Sequence, residues 1–128
     1  MIIEGIEAGT VFCYERTFTL EDVQQFSAIS GDEGDHHTVP DEYGKVVVHG
    51  FLTATLPTKI GGDFNVVARD FTMKFVRPVF TGDTIRCEVT MHRIEKQEQR
   101  YQVSTTYVCM NQDGKEVLKG EVLGFVYS

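Results

Sequence analysis

An α+β fold is predicted for this sequence: a curved antiparallel β-sheet wrapped around a central buried α-helix. Three observations predict it. Across the C-terminal half, apolar and polar residues alternate with period two in one stretch after another. Before that half lies Phe51 to Ile60, whose apolar residues Phe51, Leu52, Ala54, Leu56 and Ile60 cover nearly every side of a helix and so ask to be enclosed. Finally, 128 residues with 41% hydrophobic and 24% charged content support one packed core and one domain, residues 1–128, and exclude a disordered chain.

The elements follow in order. Val11 to Phe18 reads as the first strand. Thr19 then opens a helix, with Asp22 in the position of a capping-box acid. Leu20, Val23, Phe26 and Ile29 recur at helical spacing, and Gly31 suits the left-handed position that ends a helix near Ser30. Gly31 to Lys45, broken by Gly34, Pro40 and Gly44, reads as an ordered loop. Val46-Val47-Val48 is a short buried run leading into His49-Gly50 and the enclosed helix. Pro57 predicts a kink or an early end there, because proline removes a helical hydrogen bond. Asp70 to Arg77, Asp83 to His92, Tyr101 to Met110 and Glu116 to Tyr127 are strands, the last two joined by an Asn111-Gln112-Asp113-Gly114 hairpin turn. One helix swallowed by such a sheet is the hotdog architecture.

Composition narrows the function. Nineteen acidic against twelve basic residues give a net charge of −7, which argues against a nucleic-acid partner needing a basic face. No run of apolar residues is long enough for a membrane span. Met1 to Thr10 lacks the basic start and apolar stretch of a signal peptide, so a cytoplasmic protein is expected. Cys13, Cys87 and Cys109 are odd in number and widely spaced in strand-like stretches, which predicts reduced core thiols.

Chemistry concentrates in Ser30-Gly31-Asp32, His36-His37, His49-Gly50 and the hydroxyls of Thr53, Thr55 and Thr58. Asp32 and His37 are five residues apart and would diverge by about 140° on a continuous helix. A bent backbone at Gly31 and Gly34 can aim both at one spot. A carboxylate and an imidazole sharing one water can take its proton and return one elsewhere. Gly50, at the start of the enclosed helix, allows close approach to free N–H donors that can hold a developing oxyanion.

These residues resemble a known family. Ser30-Gly31-Asp32, with His37 five residues after the aspartate, and Val48-His49-Gly50-Phe51-Leu52 are similar to the MaoC-like dehydratases, or (R)-specific enoyl-CoA hydratases. The stretch from Phe75 to Thr84, with Pro78-Val79 and Gly82-Asp83, resembles the same family's F-x-x-P-V-x-x-G-D junction. The resemblance implies that Asp32 and His37 are catalytic and hold the water, and that the Gly50 amide binds the thioester carbonyl. It implies that Thr58, eight residues beyond Gly50, supports the aspartate. Where the family has Asn-Pro between acid and histidine, this chain has Gly34-Asp35, an extra acid expected to raise the pKa of Asp32 or His37 if close and little solvated. Tyr43 occupies a position that is small in the family.

The implied activity is a lyase reaction between a trans-2-enoyl thioester and its (R)-3-hydroxyacyl form. Its partner would be an acyl-CoA or acyl-carrier-protein thioester, with no cofactor beyond the CoA or phosphopantetheine of the substrate. His49 is a candidate substrate-binding residue or a plug for a hydrogen bond at the helix start. Lys74 and Arg77 are candidate phosphate contacts. Asp32, Asp35, His36, His37 and His49 could instead be considered as metal ligands, but their spacing fits no regular ligand motif, and no metal is expected. A thioesterase and a non-catalytic acyl-thioester binder are the alternatives. An open sheet edge, together with the family resemblance, predicts a homodimer or higher homo-oligomer.

Overall fold

The computed structural model describes residues 1–127. The strands are β1 (Val11–Thr17), β2 (Val67–Phe71), β3 (Lys74–Phe75), β4 (Thr84–Lys96), β5 (Arg100–Met110) and β6 (Glu116–Tyr127). They form one antiparallel sheet in the order β1-β4-β5-β6-β2, with β3 also paired to β6. In β4 the alternation predicted from the sequence is met: Ile85, Cys87, Val89 and Met91 are buried. They pack in two clusters, one holding Val23, Leu56 and Ile60 from the helices and the other Phe64 beside Met91. None of the helices among the described residues is long and apolar enough to cross a membrane.

The first helix, α1 (Leu20–Ser30), has the predicted ends. Thr19 Oγ1 accepts from the Asp22 amide at 3.1 Å while Asp22 Oδ2 accepts from the Thr19 amide at 3.0 Å, and Gly31 takes the left-handed φ of 74°. Its buried strip is narrower than the apolar spacing suggested. Val23 and Ser27 are buried, whereas Leu20 and Ile29 are exposed at 42% and 84%. At 3.6 residues per turn Ser27 lies about 40° from Val23, but Ile29 lies about 120° away.

Three further departures shape the site. The predicted loop contains a short helix, α2 (Asp35–Thr38), which turns His37 inward. The enclosed segment is split into α3 (Gly50–Thr53) and α4 (Thr55–Asp63), so the interruption falls at Ala54, three residues before Pro57. That places Pro57 in the first turn of α4, where a missing N–H costs no helical bond. The expected strand Asp70–Arg77 is broken after Phe71. There the Thr72 carbonyl turns onto Gly120, where a Cβ would lie 1.9 Å from it, and takes the Tyr107 hydroxyl at 2.6 Å.

Two of the three thiols are core groups. Cys87 and Cys109 face each other across β4 and β5 and are fully buried, and the Cys109 thiol together with burial pushes the Cys87 pKa well up. Cys13 is exposed on edge strand β1, contrary to the core position its strand suggested.

Candidate active site

The aspartate sits directly behind the helix-ending Gly31. Its amide donates to Ser30 Oγ at 3.1 Å, and its Oδ1 accepts from the Gly34 amide at 3.3 Å. This is a local turn that any Asp could make. It leaves the second oxygen, Oδ2, directed at His37 Nε2 across 3.6 Å. The Asp32 side chain is 56% exposed while that of His37 is only 6% exposed.

His37 is fixed from the opposite side. Its Nδ1 lies 2.7 Å from the Val47 carbonyl oxygen, which can only accept, so Nδ1 carries the proton. In the neutral tautomer this leaves the lone pair at Nε2, toward Asp32. The Val47 amide in turn donates to the His36 carbonyl at 2.8 Å, so Val47 holds both histidines in the middle of the α2 turn. The exposed His36 lies beside His37, its ring tilted by 45° with ring centroids 3.8 Å apart. Asp35 is exposed at the start of α2.

His49 lies beneath the pair. Its ring stacks on His37 at 3.8 Å with only 18° between the planes. Its Nε2–H is aimed at the Asp32 carbonyl at 2.9 Å, with Ser27 Oγ at 3.2 Å. One ring nitrogen of His49 is thus committed to bracing the main chain of Asp32, the hydrogen-bonding role the sequence offered for it beside substrate binding. Ser27, on the inner face of α1, and Phe26, whose ring lies 4.9 Å from His49, complete the brace. Neither was singled out from the sequence beyond the helical spacing of Phe26. Asp32, His37 and His49 lie within 4.8 Å of one another. Stacked imidazoles, however, point their in-plane lone pairs side by side instead of toward one centre, so the trio is poorly arranged for a metal.

Gly50 begins α3, and among the described residues its amide donates no hydrogen bond. The ring of Phe75 presses on it so closely that a Cβ would lie 2.4 Å from Cε1. Residue 50 is thus glycine for packing as well as for access. Around these groups opens a cavity of about 600 Å³, with Asp32, His37, Gly50, Thr53 and Phe75 in its walls.

The remaining expected residues divide. Arg77 lines this cavity, with its guanidinium donating to the Glu116 carbonyl at 2.8 Å. Lys74 is exposed on β3 and is not part of the cavity wall. Thr58 is a correction: within the chain it does not support Asp32. Its hydroxyl donates to the Thr55 carbonyl at 2.8 Å, and it borders a separate apolar pocket of about 90 Å³. The count of eight residues from Gly50 carries it a full two turns along the helix, away from the first turn that meets the aspartate.

A sheet closed around a helix that begins beside an acid–imidazole pair defines the class: a hotdog-fold protein with the groups for proton transfer at the helix start. Residues 4–112 match the family described as the MaoC like domain, and the chain belongs to that family of hydratases and dehydratases. It is 28% identical over 130 residues to a mitochondrial 3-hydroxyacyl-[acyl-carrier-protein] dehydratase of Solanum lycopersicum, covering 96% of this chain and 79% of that one. It is 26% identical over 129 residues to an (R)-specific enoyl-CoA hydratase of Rhodospirillum rubrum, covering 92% and 86%. The structure of an (R)-hydratase from A. caviae superposes with a TM-score of 0.82 at 23% identity, over 94% of this chain and 97% of that one.

Proposed function

We propose that the protein interconverts a trans-2-enoyl thioester and its (R)-3-hydroxyacyl thioester, carried on CoA or on an acyl-carrier protein. The observation that carries this reading is the Asp32 Oδ2–His37 Nε2 separation of 3.6 Å at the wall of a cavity of about 600 Å³. That gap is too long for a good direct hydrogen bond and short enough for one water to bond to both groups. The volume lies within the range that takes a small organic ligand.

The chemistry follows from the positions of the protons. His37 Nε2 is the free base, because Nδ1–H is spent on Val47. Water held between Nε2 and Asp32 gives up a proton to the pair as its oxygen bonds to C3 of the enoyl group. The double-bond electrons move toward the thioester carbonyl, and the Gly50 amide at the helix start stabilises the resulting oxyanion. The pair then returns a proton to C2, so one water has been added and nothing else consumed. Each positioned proton transfer is worth roughly 10²–10⁴-fold in rate. The names of the two curated relatives support the thioester class, and that of the Rhodospirillum rubrum enzyme supports the R configuration.

The test is hydration of crotonyl-CoA and of a crotonyl carrier-protein thioester, followed by loss of absorbance at the conjugated bond. Wild type should hydrate at least one of them, and Asp32→Asn and His37→Gln should abolish the reaction with little change in melting temperature. Absence of hydration on both carriers overturns the proposal. Release of free thiol from butyryl-CoA would point to a thioesterase, and binding without any turnover to an acyl-thioester carrier.

We further propose a homodimer. Edge strands β1 and β2 leave Val11 and Val67 exposed at 49% and 58%, and pairing with a second copy covers such edges. Light scattering should give twice the chain mass; a stable monomer refutes it.

A further inference from the structure

Three threonines follow one another along the enclosed helical segment, and they treat their hydroxyls differently. Thr55 donates to the Leu52 carbonyl and Thr58 to the Thr55 carbonyl, the usual outlet for a helical threonine. Thr53 does neither. Its Oγ1 is buried without a hydrogen-bond partner among the described residues, and the residue as a whole is 2% exposed. The only other such atom among them is His49 Nδ1, one helical turn away. Thr53 and His49 both belong to the wall of the cavity that holds Asp32 and His37. An unpaired buried hydroxyl costs stability, and one left in the wall of a ligand cavity is a group waiting for its partner.

The helix directs where that partner would lie. Residues three apart share a helix face, and each Cα–Cβ bond tilts toward the helix N-terminus. The Thr53 side chain therefore leans toward the Gly50 amide. We propose that Thr53 is a substrate-binding residue: its Oγ1–H, after rotation about Cα–Cβ, donates to the thioester carbonyl oxygen beside the Gly50 N–H. This rests on the hydration reading for the identity of the ligand. Gly50 and Thr53 together make a two-donor site for one oxygen, half from main chain and half from side chain. His49 Nδ1 has no part in it, since both it and the carbonyl are acceptors when the ring is neutral.

Thr53→Val replaces the hydroxyl by a methyl of nearly the same shape, and Thr53→Ser retains it. In the free protein Thr53→Val should melt at or above the wild-type temperature, because an unpaired polar group has been removed. Its kcat/KM for crotonyl-CoA should fall about tenfold or more, and the affinity for butyryl-CoA by calorimetry should weaken by about the same factor. Thr53→Ser should recover most of both. Wild-type kcat/KM and affinity in Thr53→Val overturn the proposal, as does a fall in melting temperature with losses that serine does not rescue. If wild type hydrates nothing, the hydration reading fails alone, and the butyryl-CoA affinities still decide on Thr53. Absence of butyryl-CoA binding by wild type overturns the Thr53 proposal, and together with absence of hydration on both carriers it overturns both.

Discussion

The helix starts at α1 and α3 solve the same physical problem in opposite ways. Both expose N–H groups that the helix cannot satisfy internally. At α1 the reciprocal Thr19–Asp22 cap closes them off. At α3 the N-cap residue is His49, whose side chain makes no cap hydrogen bond because its ring is turned to the Asp32 carbonyl. Around α3 lie the free Gly50 amide, the bare Thr53 hydroxyl and the open cavity. The contrast teaches that unsatisfied polarity here is concentrated at one place, where a ligand could use it, while the outer helix is finished for stability.

The largest expected effect breaks the comparison on the α3 side. Asp32→Asn keeps the acceptor for the Gly34 amide but removes the carboxylate that faces His37. Hydration of crotonyl-CoA should fall by about 10²-fold or more with a small shift in melting temperature. Next comes Gly50→Ala, whose methyl would strike Phe75. It should destabilise by about 1–3 kcal/mol in chemical denaturation. Adding Phe75→Ala should restore most of that stability, and strict additivity of the two changes would show that the contact does not explain the glycine.

On the α1 side the effects should be on stability alone. Thr19→Ala should cost about 1 kcal/mol in urea unfolding and leave kcat/KM unchanged. The smallest effect is one of pH. Burial works to raise the Asp22 pKa, but the Thr19 amide and the Arg16 guanidinium, 2.7 Å away, outweigh it and hold it below 3.8. A carboxylate with a lowered native pKa stabilises the fold above its unfolded pKa, and that contribution is lost as pH falls through the native value. The stability gap between wild type and Asp22→Asn should therefore be present at neutral pH and shrink below about pH 4. A gap that stays constant down to pH 2 would remove Asp22's charge from the cap.

Much of the scaffold was legible because its causes are local. The ends of α1 follow from Thr19, Asp22 and Gly31, and the long strands from their two-residue alternation. The split of β2 from β3 was not legible, since it depends on Gly120 and Tyr107, which lie far along the chain from Thr72. At the site, Asp32, His37 and Gly50 stood out by type and spacing. Ser27 did not, and Phe75 stood out only as the first residue of a motif, because a serine on a helix and a phenylalanine in a strand carry no local sign of what they will touch. Thr58 was misplaced by a count along the chain, which measures distance on a helix but not the direction of a side chain.

The linear sequence by itself determined the sheet-around-helix plan, the glycine hinge before Asp32, and the residue types able to move a proton. These rest on backbone sterics, capping and periodicity, which act within a few residues. Only the tertiary structure decided that His37 would offer Nε2 to Asp32, that His49 would brace the aspartate's main chain, and that Thr53 would keep a bare hydroxyl. Those outcomes depend on which donors and acceptors meet across the fold: Val47 against His37, Ser27 and Asp32 against His49. A hydrogen-bond partner is chosen by distance in space, and the folded chain sets that distance.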